Sequence, residues 1–403
     1  MHDITCRSVV KSTEGKCVSN RFEERKKKLA SQSYVDKNLI VIIFFLVVFG
    51  LVMVYATSSY SASQTAGGAA YYLKKQAMAA SVGIVGMFIT MMIPYHFWER
   101  ISVLIYGFAF VMIMLIIPFG REINGAKRWI YFGPISVQPA EIAKIAIIIF
   151  LADFICRLGS YTQSRKGFWI VLCMSLPLAA PIYLVTRNLS SAIIVCGIAF
   201  VMLFVSTPDY KRYILMILFL AAIAAVVILV AVNAPSDGSV SFRLERIRAW
   251  RDPEAYASGK GFQTMQALYA IGTGGIFGKG LGQSSLIIKY LPEAQNDMIF
   301  SIICEDLGLM GAGAIILMFI LMIWRCMVIA DNAEDLYGAL LVVGVMAHIA
   351  IQVVLNIAVV TNSIPNTGIS LPFISYGGSS LMCLLIEMGL VLSVSRGIRF
   401  KDL

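Results

Sequence analysis

The sequence predicts an all-α integral membrane protein, a polytopic bundle of about ten transmembrane helices with a long extracytoplasmic loop. Of its 403 residues, 59% are hydrophobic and 14% are charged, whereas about 25% of the residues in soluble domains are charged. Apolar runs near the ~20 residues needed to cross a bilayer recur along the chain. A β-barrel would instead show short segments of alternating hydrophobicity.

Apolar runs divide the membrane domain, which we place at residues 38–397, into ten predicted spans. They are 38–57, 72–93, 102–118, 139–156, 168–186, 190–206, 211–232, 298–323, 337–358 and 376–395. An even number of spans places both ends of the chain on the same side of the membrane.

Basic residues predict that both termini are cytoplasmic. The formal net charge is +10, and residues 1–37 form a basic tail that includes the cluster Arg25–Lys28. This tail and the apolar run after it are too long for a cleavable signal peptide. Residues 398–403 form a second cytoplasmic tail.

With this orientation, three longer connections share the outer face of the membrane: 119–140, 231–296 and 359–376. The large extracytoplasmic loop is 231–296, and loops beyond about 12–15 residues are usually functional or disordered. Apolar residues at helical spacing in Phe262–Ile271 predict short helices within it. Basic residues in the outer loops suit either a specific anionic ligand or lipid phosphate in general.

Cysteine and histidine usage predicts neither disulfides nor a zinc site. None of the eight cysteines falls in a segment predicted to lie outside. The three histidines, His2, His96 and His348, are far apart in sequence, so no zinc-ligand cluster is indicated. We predict no nucleic-acid partner.

The candidate catalytic residue is Asp297, where a glycine-rich polar stretch meets an apolar helix. A carboxylate at the mouth of a membrane helix costs free energy unless it has a partner or a task. Asp297, Ser301, Glu305 and Gly308 are spaced as one helix face. A general base needs water access and a partly apolar wall; the alternative is a helix N-terminal carboxylate favoured by the macrodipole. Glu305 and Asp306 lie deeper and are predicted to pair with a basic group inside the bundle.

Glu141 and Lys144 stand three residues apart at the start of the fourth span. This spacing allows an intrahelical ion pair, and inside a membrane such a pair should face the protein interior. The alternative interpretation is that Lys144 reaches a phosphate group or Glu305.

Arg128 and Trp129 end a cationic run at the outer surface. Trp129 is either an interfacial anchor or, with Arg128 on a phosphate, a platform for a sugar or lipid chain. Arg187 and Asn188 interrupt apolar sequence between the fifth and sixth spans. The arginine either snorkels or lines an outward pocket.

Ser379 belongs to a segment whose prolines and glycines break the helix at the start of the last span. Irregular backbone at membrane depth lines cavities, so Ser379 is a candidate for substrate binding. A serine hydrolase would need a nearby histidine, and none is close in sequence. A P-loop is excluded because no GK[ST] follows the glycines.

Three motifs together resemble the FtsW/RodA/SpoVE (SEDS) family over roughly residues 38–397. They are GAKRWIYFGPISVQPAEIAK, GGIFGKGLGQSSLIIKYLPEAQNDMIFSIICEDLG and IPNTGISLPFISYGGSS. The resemblance implies a peptidoglycan glycosyltransferase of the bacterial cytoplasmic membrane. Such proteins polymerise lipid II at the outer face, for cell division, elongation or sporulation, and work with a class B penicillin-binding protein that cross-links the strands.

By motif position, Asp297 matches the family's essential outer carboxylate. Trp129, Lys144, Glu141 and Glu305 match other outer-cavity positions of the family. The chain departs from the family where Arg187–Ser191 replaces a usual Pro-Asp-Leu/Phe-Gly-Thr motif. Asn188 there stands in place of an aspartate, which puts a direct catalytic use of that position in doubt.

In the implied reaction, Asp297 deprotonates the acceptor 4-hydroxyl, and undecaprenyl pyrophosphate leaves the donor sugar. Arg128, Lys144 and the loop arginines are candidates for stabilising the pyrophosphate charge. A divalent cation such as Mg2+ could share that task, although the sequence shows no dedicated metal site. Two alternatives remain open: a lipid II flippase or transporter, and a non-catalytic scaffold that regulates a class B penicillin-binding protein.

Overall fold

The structure is a computed structural model of the chain. It describes residues 35–65, 68–123, 126–132, 135–207, 209–233, 242–256, 259, 261–283 and 295–398. The predicted basic cluster Arg25–Lys28, the tail after residue 398 and parts of the predicted loop 231–296 lie outside these ranges.

Helices dominate the described residues, as the long apolar runs predict. The helices of the first half are α1 Lys37–Thr65, α2 Tyr71–Met92, α3 Tyr95–Arg100, α4 Ser102–Met114, α5 Ile116–Phe119, α6 Pro139–Leu158, α7 Arg165–Cys173 and α8 Leu176–Thr186. Those of the second half are α9 Leu189–Ser206, α10 Tyr210–Asn233, α11 Phe242–Arg251, α12 Phe262–Gly274, α13 Ile299–Asp331, α14 Leu336–Val360 and α15 Gly378–Gly397.

Nine stretches of the described ranges are long and apolar enough to cross a membrane. They correspond to nine of the predicted spans, with α4 and α5 forming one stretch and α7 and α8 another. The remaining predicted span is α6, a helix of 20 residues. The prediction of a polytopic all-α membrane bundle is confirmed.

Helix α6 lies inside the bundle, where α4, α9 and α14 pack against it. It carries charged side chains at buried positions, and such groups need partners. Near its start, Lys144 pairs with Glu141, and near its end, Arg157 pairs with Asp153. The charges therefore do not prevent this helix from occupying the centre of the domain.

The first long connection contains a small antiparallel sheet, which the sequence analysis did not predict. Its strands are β1 Arg121–Ile123, β2 Ala126–Phe132 and β3 Ile135–Val137, in the order β1-β2-β3. Ile130 of β2 packs against Met112 and Ile116. This contact fixes the sheet over the ends of α4 and α5.

The two ends of the bundle are marked by different polar groups. At one end, Asp36 accepts a hydrogen bond from Arg325 Nε at 3.0 Å and caps the start of α1 through the Leu39 amide at 2.9 Å. The opposite end carries the small sheet, α11 and Asp297. We call it the Asp297 end.

Candidate functional site

Asp297 lies just before a helix rather than on it. Helix α13 begins at Ile299, after the N-cap residue Met298. Its helical conformation is interrupted at Gly308, where φ is 67°. The expectation that Asp297, Ser301, Glu305 and Gly308 form one continuous helix face is therefore wrong at both ends.

Three segments of the chain hold Asp297. Gln263 of α12 donates a hydrogen bond from Nε2 to Asp297 Oδ1 at 3.3 Å, and Asn356 of α14 donates from Nδ2 to the Asp297 carbonyl at 2.8 Å. Gly368 lies against the carboxylate, because a Cβ at Gly368 would be 3.7 Å from Asp297 Oδ2. The side chain remains partly exposed, so these contacts orient the carboxylate and leave it accessible.

The backbone facing Asp297 belongs to residues 361–376, which we call the PNTG loop after its Pro365–Gly368. Two amide side chains of α14 hold this loop. Asn356 Nδ2 donates to the Ile369 carbonyl at 2.7 Å, and Gln352 Nε2 donates to the Ser370 carbonyl at 3.0 Å. These bonds satisfy irregular backbone that has no helical partners, and they fix the loop against the carboxylate.

Helix α11 is hydrogen-bonded to the PNTG loop and brings Arg246 to the site. Arg246 donates from Nη1 to the Asn366 carbonyl at 3.2 Å. Trp250 Nε1 donates to the Asn362 carbonyl at 2.8 Å, and Asn362 Nδ2 donates back to the Trp250 carbonyl at 3.3 Å. The Asn366 amide reaches Gln263 Oε1 at 3.1 Å. A cation and the Asp297 carboxylate are thus tied to one small network.

The glycine-rich segment after α12 docks on the break in α13. The amides of Lys279 and Gly280 donate to the carbonyls of Glu305 and Asp306, each at 2.9 Å. Beyond the break, the Leu309 amide donates to the Gly275 carbonyl at 3.0 Å. The loop therefore supplies hydrogen-bond partners to backbone groups that the interrupted helix cannot satisfy by itself.

Only glycine fits at this break. A Cβ at Gly308 would lie 2.4 Å from the Gly278 nitrogen and 2.4 Å from the Ile276 carbonyl oxygen. Both are backbone atoms, which cannot turn aside, and the positive φ of Gly308 disfavours any other residue. Gly308 thus has a structural role, because it allows the glycine-rich segment to dock. It lies about three helical turns from Asp297 along the chain.

Glu305 is fully buried, and its charged partner is Lys279. The Lys279 Nζ to Glu305 Oε1 distance is 2.8 Å. Glu305 thus pairs with a basic group as predicted, but that group comes from the glycine-rich segment and not from the bundle. The partner of Asp306 in the same segment is a backbone group, since its Oδ2 accepts a hydrogen bond from the Gly282 amide at 3.0 Å. Lys144 contacts Glu141 and Gln352 instead, so the interpretation in which Lys144 reaches Glu305 is wrong.

Glu141 and Lys144 form the predicted ion pair, and it faces the protein interior. Lys144 Nζ is 2.8 Å from Glu141 Oε1, with side chains only 2% and 7% exposed. Lys144 also donates to Gln352 Oε1 at 3.3 Å. The serine that meets Glu141 is Ser380, whose Oγ donates to Oε2 at 3.0 Å. Ser379 is buried beside it, and its hydroxyl has no hydrogen-bond partner within the described ranges.

The remaining candidates lie around the small sheet. Arg128 of β2 donates from Nε to the Thr186 carbonyl at 3.3 Å, and its partial burial lowers the pKa of the guanidinium. Trp129 is half-buried on the same strand. Arg187 ends α8 in the left-handed region, with φ of 53°, and its side chain is exposed.

Asn188 is an N-cap. Its Oδ1 accepts a hydrogen bond from the Ser191 amide at 3.1 Å, so it satisfies one of the free donors at the start of α9. The next hydroxyl, Ser190 Oγ, donates to the Thr367 carbonyl of the PNTG loop at 2.7 Å. Asn188 thus caps the helix whose Ser190 braces the loop facing Asp297.

A family model described as "Cell cycle protein", FTSW_RODA_SPOVE, matches residues 37–399. The chain belongs to the FtsW/RodA/SpoVE family. A FtsW/RodA/SpoVE relative, Stage V sporulation protein E of Bacillus subtilis (strain 168), is 40% identical over 334 residues, which cover 82% of this chain and 88% of that protein.

A further curated relative and two solved structures are also similar to this chain. A probable peptidoglycan glycosyltransferase FtsW of Trichlorobacter lovleyi is 36% identical over 335 residues, covering 83% of this chain and 86% of that protein. One solved structure is of a peptidoglycan synthase complex and concerns the structural coordination of polymerization and crosslinking. A chain of that complex matches this one with a TM-score of 0.75 and 25% identity, covering 91% of this chain and 99% of that chain. RodA of Thermus thermophilus shares the fold, with a TM-score of 0.63 and 24% identity over 91% of this chain and 98% of that chain.

The sequence analysis missed several residues that build the site. His348, Gln352 and Asn356 follow one another at intervals of four residues on α14. All three therefore lie on one helix face. Polar residues at that spacing within a membrane span signal an interior function. Gln263, by contrast, gives no signal in sequence, because its contact with Asp297 depends on how α12 folds back along α13.

No group of three or more His, Cys, Asp or Glu side chains within the described ranges is arranged to hold a metal ion.

Proposed function

We propose that this membrane protein is a peptidoglycan glycosyltransferase that polymerises lipid II into glycan strands, with Asp297 as the general base. The observation that carries the proposal is a partly exposed carboxylate that three segments orient, together with Arg246, which is linked to it through Asn366 and Gln263. Its family relatives include probable peptidoglycan glycosyltransferases, which supports the reaction class.

In the proposed reaction, Asp297 accepts the proton of the acceptor sugar's 4-hydroxyl as that oxygen attacks the donor's anomeric carbon. The new bond joins that oxygen to the anomeric carbon. The bond that breaks joins the same carbon to the pyrophosphate oxygen, and undecaprenyl pyrophosphate leaves with both bonding electrons. A positioned general base contributes about 10²–10⁴-fold to such a step.

Negative charge grows on the leaving pyrophosphate, so fixed cations stabilise the transition state. Arg246 is the strongest candidate, because its hydrogen bond to Asn366 ties it to the network that holds Asp297. Arg128 and Arg187 add positive charge near the small sheet. Lys144 is buried and neutralised by Glu141, so we assign it a positioning role through Gln352. Trp129, Glu305 and Ser379 are proposed to shape the cavity.

The proposed topology puts the Asp297 end outside the cytoplasmic membrane. Residues 1–37 and 398–403 are then cytoplasmic tails, and 231–296 is the extracytoplasmic loop. The similar solved chain comes from a complex that coordinates polymerization and crosslinking. We propose a class B penicillin-binding protein as this chain's partner by analogy.

The test is polymerisation of labelled lipid II by the purified protein with its partner. Wild type should form polymer, and a folded, partner-bound Asp297→Ala variant should form none. Glu254→Gln is the matched control, because Glu254 is an exposed acid of the same large loop and should leave the rate unchanged.

Equal polymer from wild type and Asp297→Ala would contradict the base assignment. No polymer from wild type, under conditions in which a relative is active, would favour a flippase or a scaffold.

A further inference from the structure

A network of six polar side chains, five buried and one half-buried, runs through the bundle below Asp297. Its members touch in succession and come from α6, α14 and α15: Ser380, Glu141, Lys144, Gln352, His348 and Glu387. One end of the network contains the predicted ion pair of Glu141 and Lys144. The other end consists of His348 and Glu387, which take no part in the proposed reaction and whose side chains are 1% and 0% exposed.

The positions of the protons in this network can be worked out starting from Lys144. An ammonium group only donates, so Gln352 must turn its Oε1 toward Lys144 Nζ, 3.3 Å away. The Gln352 amide nitrogen then faces the Ser370 carbonyl at 3.0 Å, where a donor is needed. Both contacts support the same orientation of the Gln352 side chain.

The same oxygen, Gln352 Oε1, lies 2.8 Å from His348 Nε2. An oxygen that accepts from Lys144 cannot donate, so His348 Nε2 carries a proton. The other ring nitrogen, Nδ1, is 2.7 Å from Glu387 Oε2. A second proton must occupy that contact, since an unprotonated nitrogen and a carboxylate oxygen would repel each other.

We propose that His348 and Glu387 are a proton-sharing pair that positions Gln352, and through it Lys144 and the PNTG loop, for the reaction at Asp297. The pair is neutral overall whether the shared proton lies on the imidazole or on the carboxyl. Its neutrality leaves the positive charge of Lys144 balanced by Glu141 alone. This inference rests on the proposed function for its activity readout.

Glu387 has the task of fixing the imidazole tautomer, as carboxylates do for histidines in other polar sites. Without Glu387, the neutral ring can place its single proton on either nitrogen. Placing it on Nδ1 presents a lone pair to Gln352 Oε1. Gln352 then loses a donor, and its hold on Ser370 and Lys144 weakens.

The pair also makes a distinctive prediction about substitution. Glu387→Gln keeps a donor for Nδ1 and should keep polymerisation near wild type. Glu387→Leu and His348→Leu remove that arrangement and should lower polymerisation by roughly tenfold, the size expected for losing one buried hydrogen bond that orients a site. Wild-type activity for Glu387→Leu would overturn the proposal.

Thermal stability measurements distinguish a positioning role of His348 and Glu387 from a role in folding alone. His348→Leu alone leaves Glu387 buried without its partner, whereas His348→Leu with Glu387→Leu leaves neither group. The double variant should recover thermal stability relative to His348→Leu but should not recover polymerisation. Recovery of both to wild-type levels would show that the pair serves folding only, and would overturn the positioning role.

Histidine-selective 15N NMR tests the tautomer without any activity. The chain has three histidines, so His348→Leu identifies the signal of interest by its disappearance. Wild type and Glu387→Gln should both show a proton on Nε2, and Glu387→Leu should show it divided between the two nitrogens. An unprotonated Nε2 in wild type would overturn the inference, and this result holds even if the protein proves unable to polymerise lipid II.

Discussion

Removing one member of the buried Glu141–Lys144 pair should cost far more stability than removing both. In Lys144→Met, the hydrogen-bond partner that Glu141 keeps among the described residues is the Ser380 hydroxyl, in a site where the Glu141 side chain is 7% exposed. Leaving a buried charge without its partner costs about 3–5 kcal/mol. Glu141→Gln should cost a similar amount, because it leaves the ammonium group uncompensated.

The double variant Glu141→Gln with Lys144→Met contains no buried charge at this position. Replacing a buried pair by neutral groups of similar volume is often neutral or stabilising. We therefore expect the double variant to fall within about 1–2 kcal/mol of wild type, far below the sum of the single costs. Its polymerisation should stay low, because Gln352 has lost the Lys144 donor.

The assay is SDS-induced unfolding in mixed micelles, applied to wild type, both single variants and the double variant. Arg212→Met is the matched control, because Arg212 and Asp209 form an ion pair of the same i,i+3 spacing with side chains 30% and 42% exposed. That exposed pair should cost about 1 kcal/mol or less. If the losses in free energy of unfolding for the two single variants add up in the double variant, the two buried charges do not stabilise each other and this reasoning is refuted.

Three further substitutions probe other parts of the site. Gly308→Ala should lower thermal stability, because its Cβ would overlap backbone of the docked glycine-rich segment, whereas Gly313→Ala on the same helix has open space and should not; equal melting temperatures would argue against the docking. Gln263→Leu should lower polymerisation roughly tenfold with little change in stability, since it removes one hydrogen bond that orients the proposed base; an unchanged rate would remove this residue from the site. Arg246→Ala should lower polymerisation more than Arg251→Ala, because Arg246 donates a hydrogen bond to the PNTG loop, whereas Arg251 is exposed at the end of α11; equal losses would indicate a general charge effect.

The helices could be predicted well from the sequence, because a helix that crosses a bilayer needs a run of about 20 mostly apolar residues. The predicted span 211–232, for example, is observed as Tyr210–Asn233. The small sheet was missed because β1 and β3 have three residues each, too few for an alternating pattern to stand out.

The candidate site was predicted less completely, and the reason is physical. Asp297, Glu141 and Lys144 are ionisable groups at the edges of apolar runs, where their cost is visible in the sequence alone. Their partners are set by contacts between distant segments: Gln263 meets Asp297 from 34 positions away, and Gln352 meets Lys144 from 208 positions away. The break at Gly308 likewise depends on a loop that folds back onto the helix.

The most direct test of Asp297 as the general base is the rate of lipid II polymerisation by Asp297→Asn, measured beside lipid II binding. Asparagine keeps the shape of the side chain and can still accept the hydrogen bond from Gln263, but it cannot take a proton from the acceptor hydroxyl. The assignment of Asp297 as the general base predicts lipid II binding near that of wild type and polymerisation lower by about 10²–10⁴-fold. Polymerisation by Asp297→Asn within tenfold of wild type would contradict it.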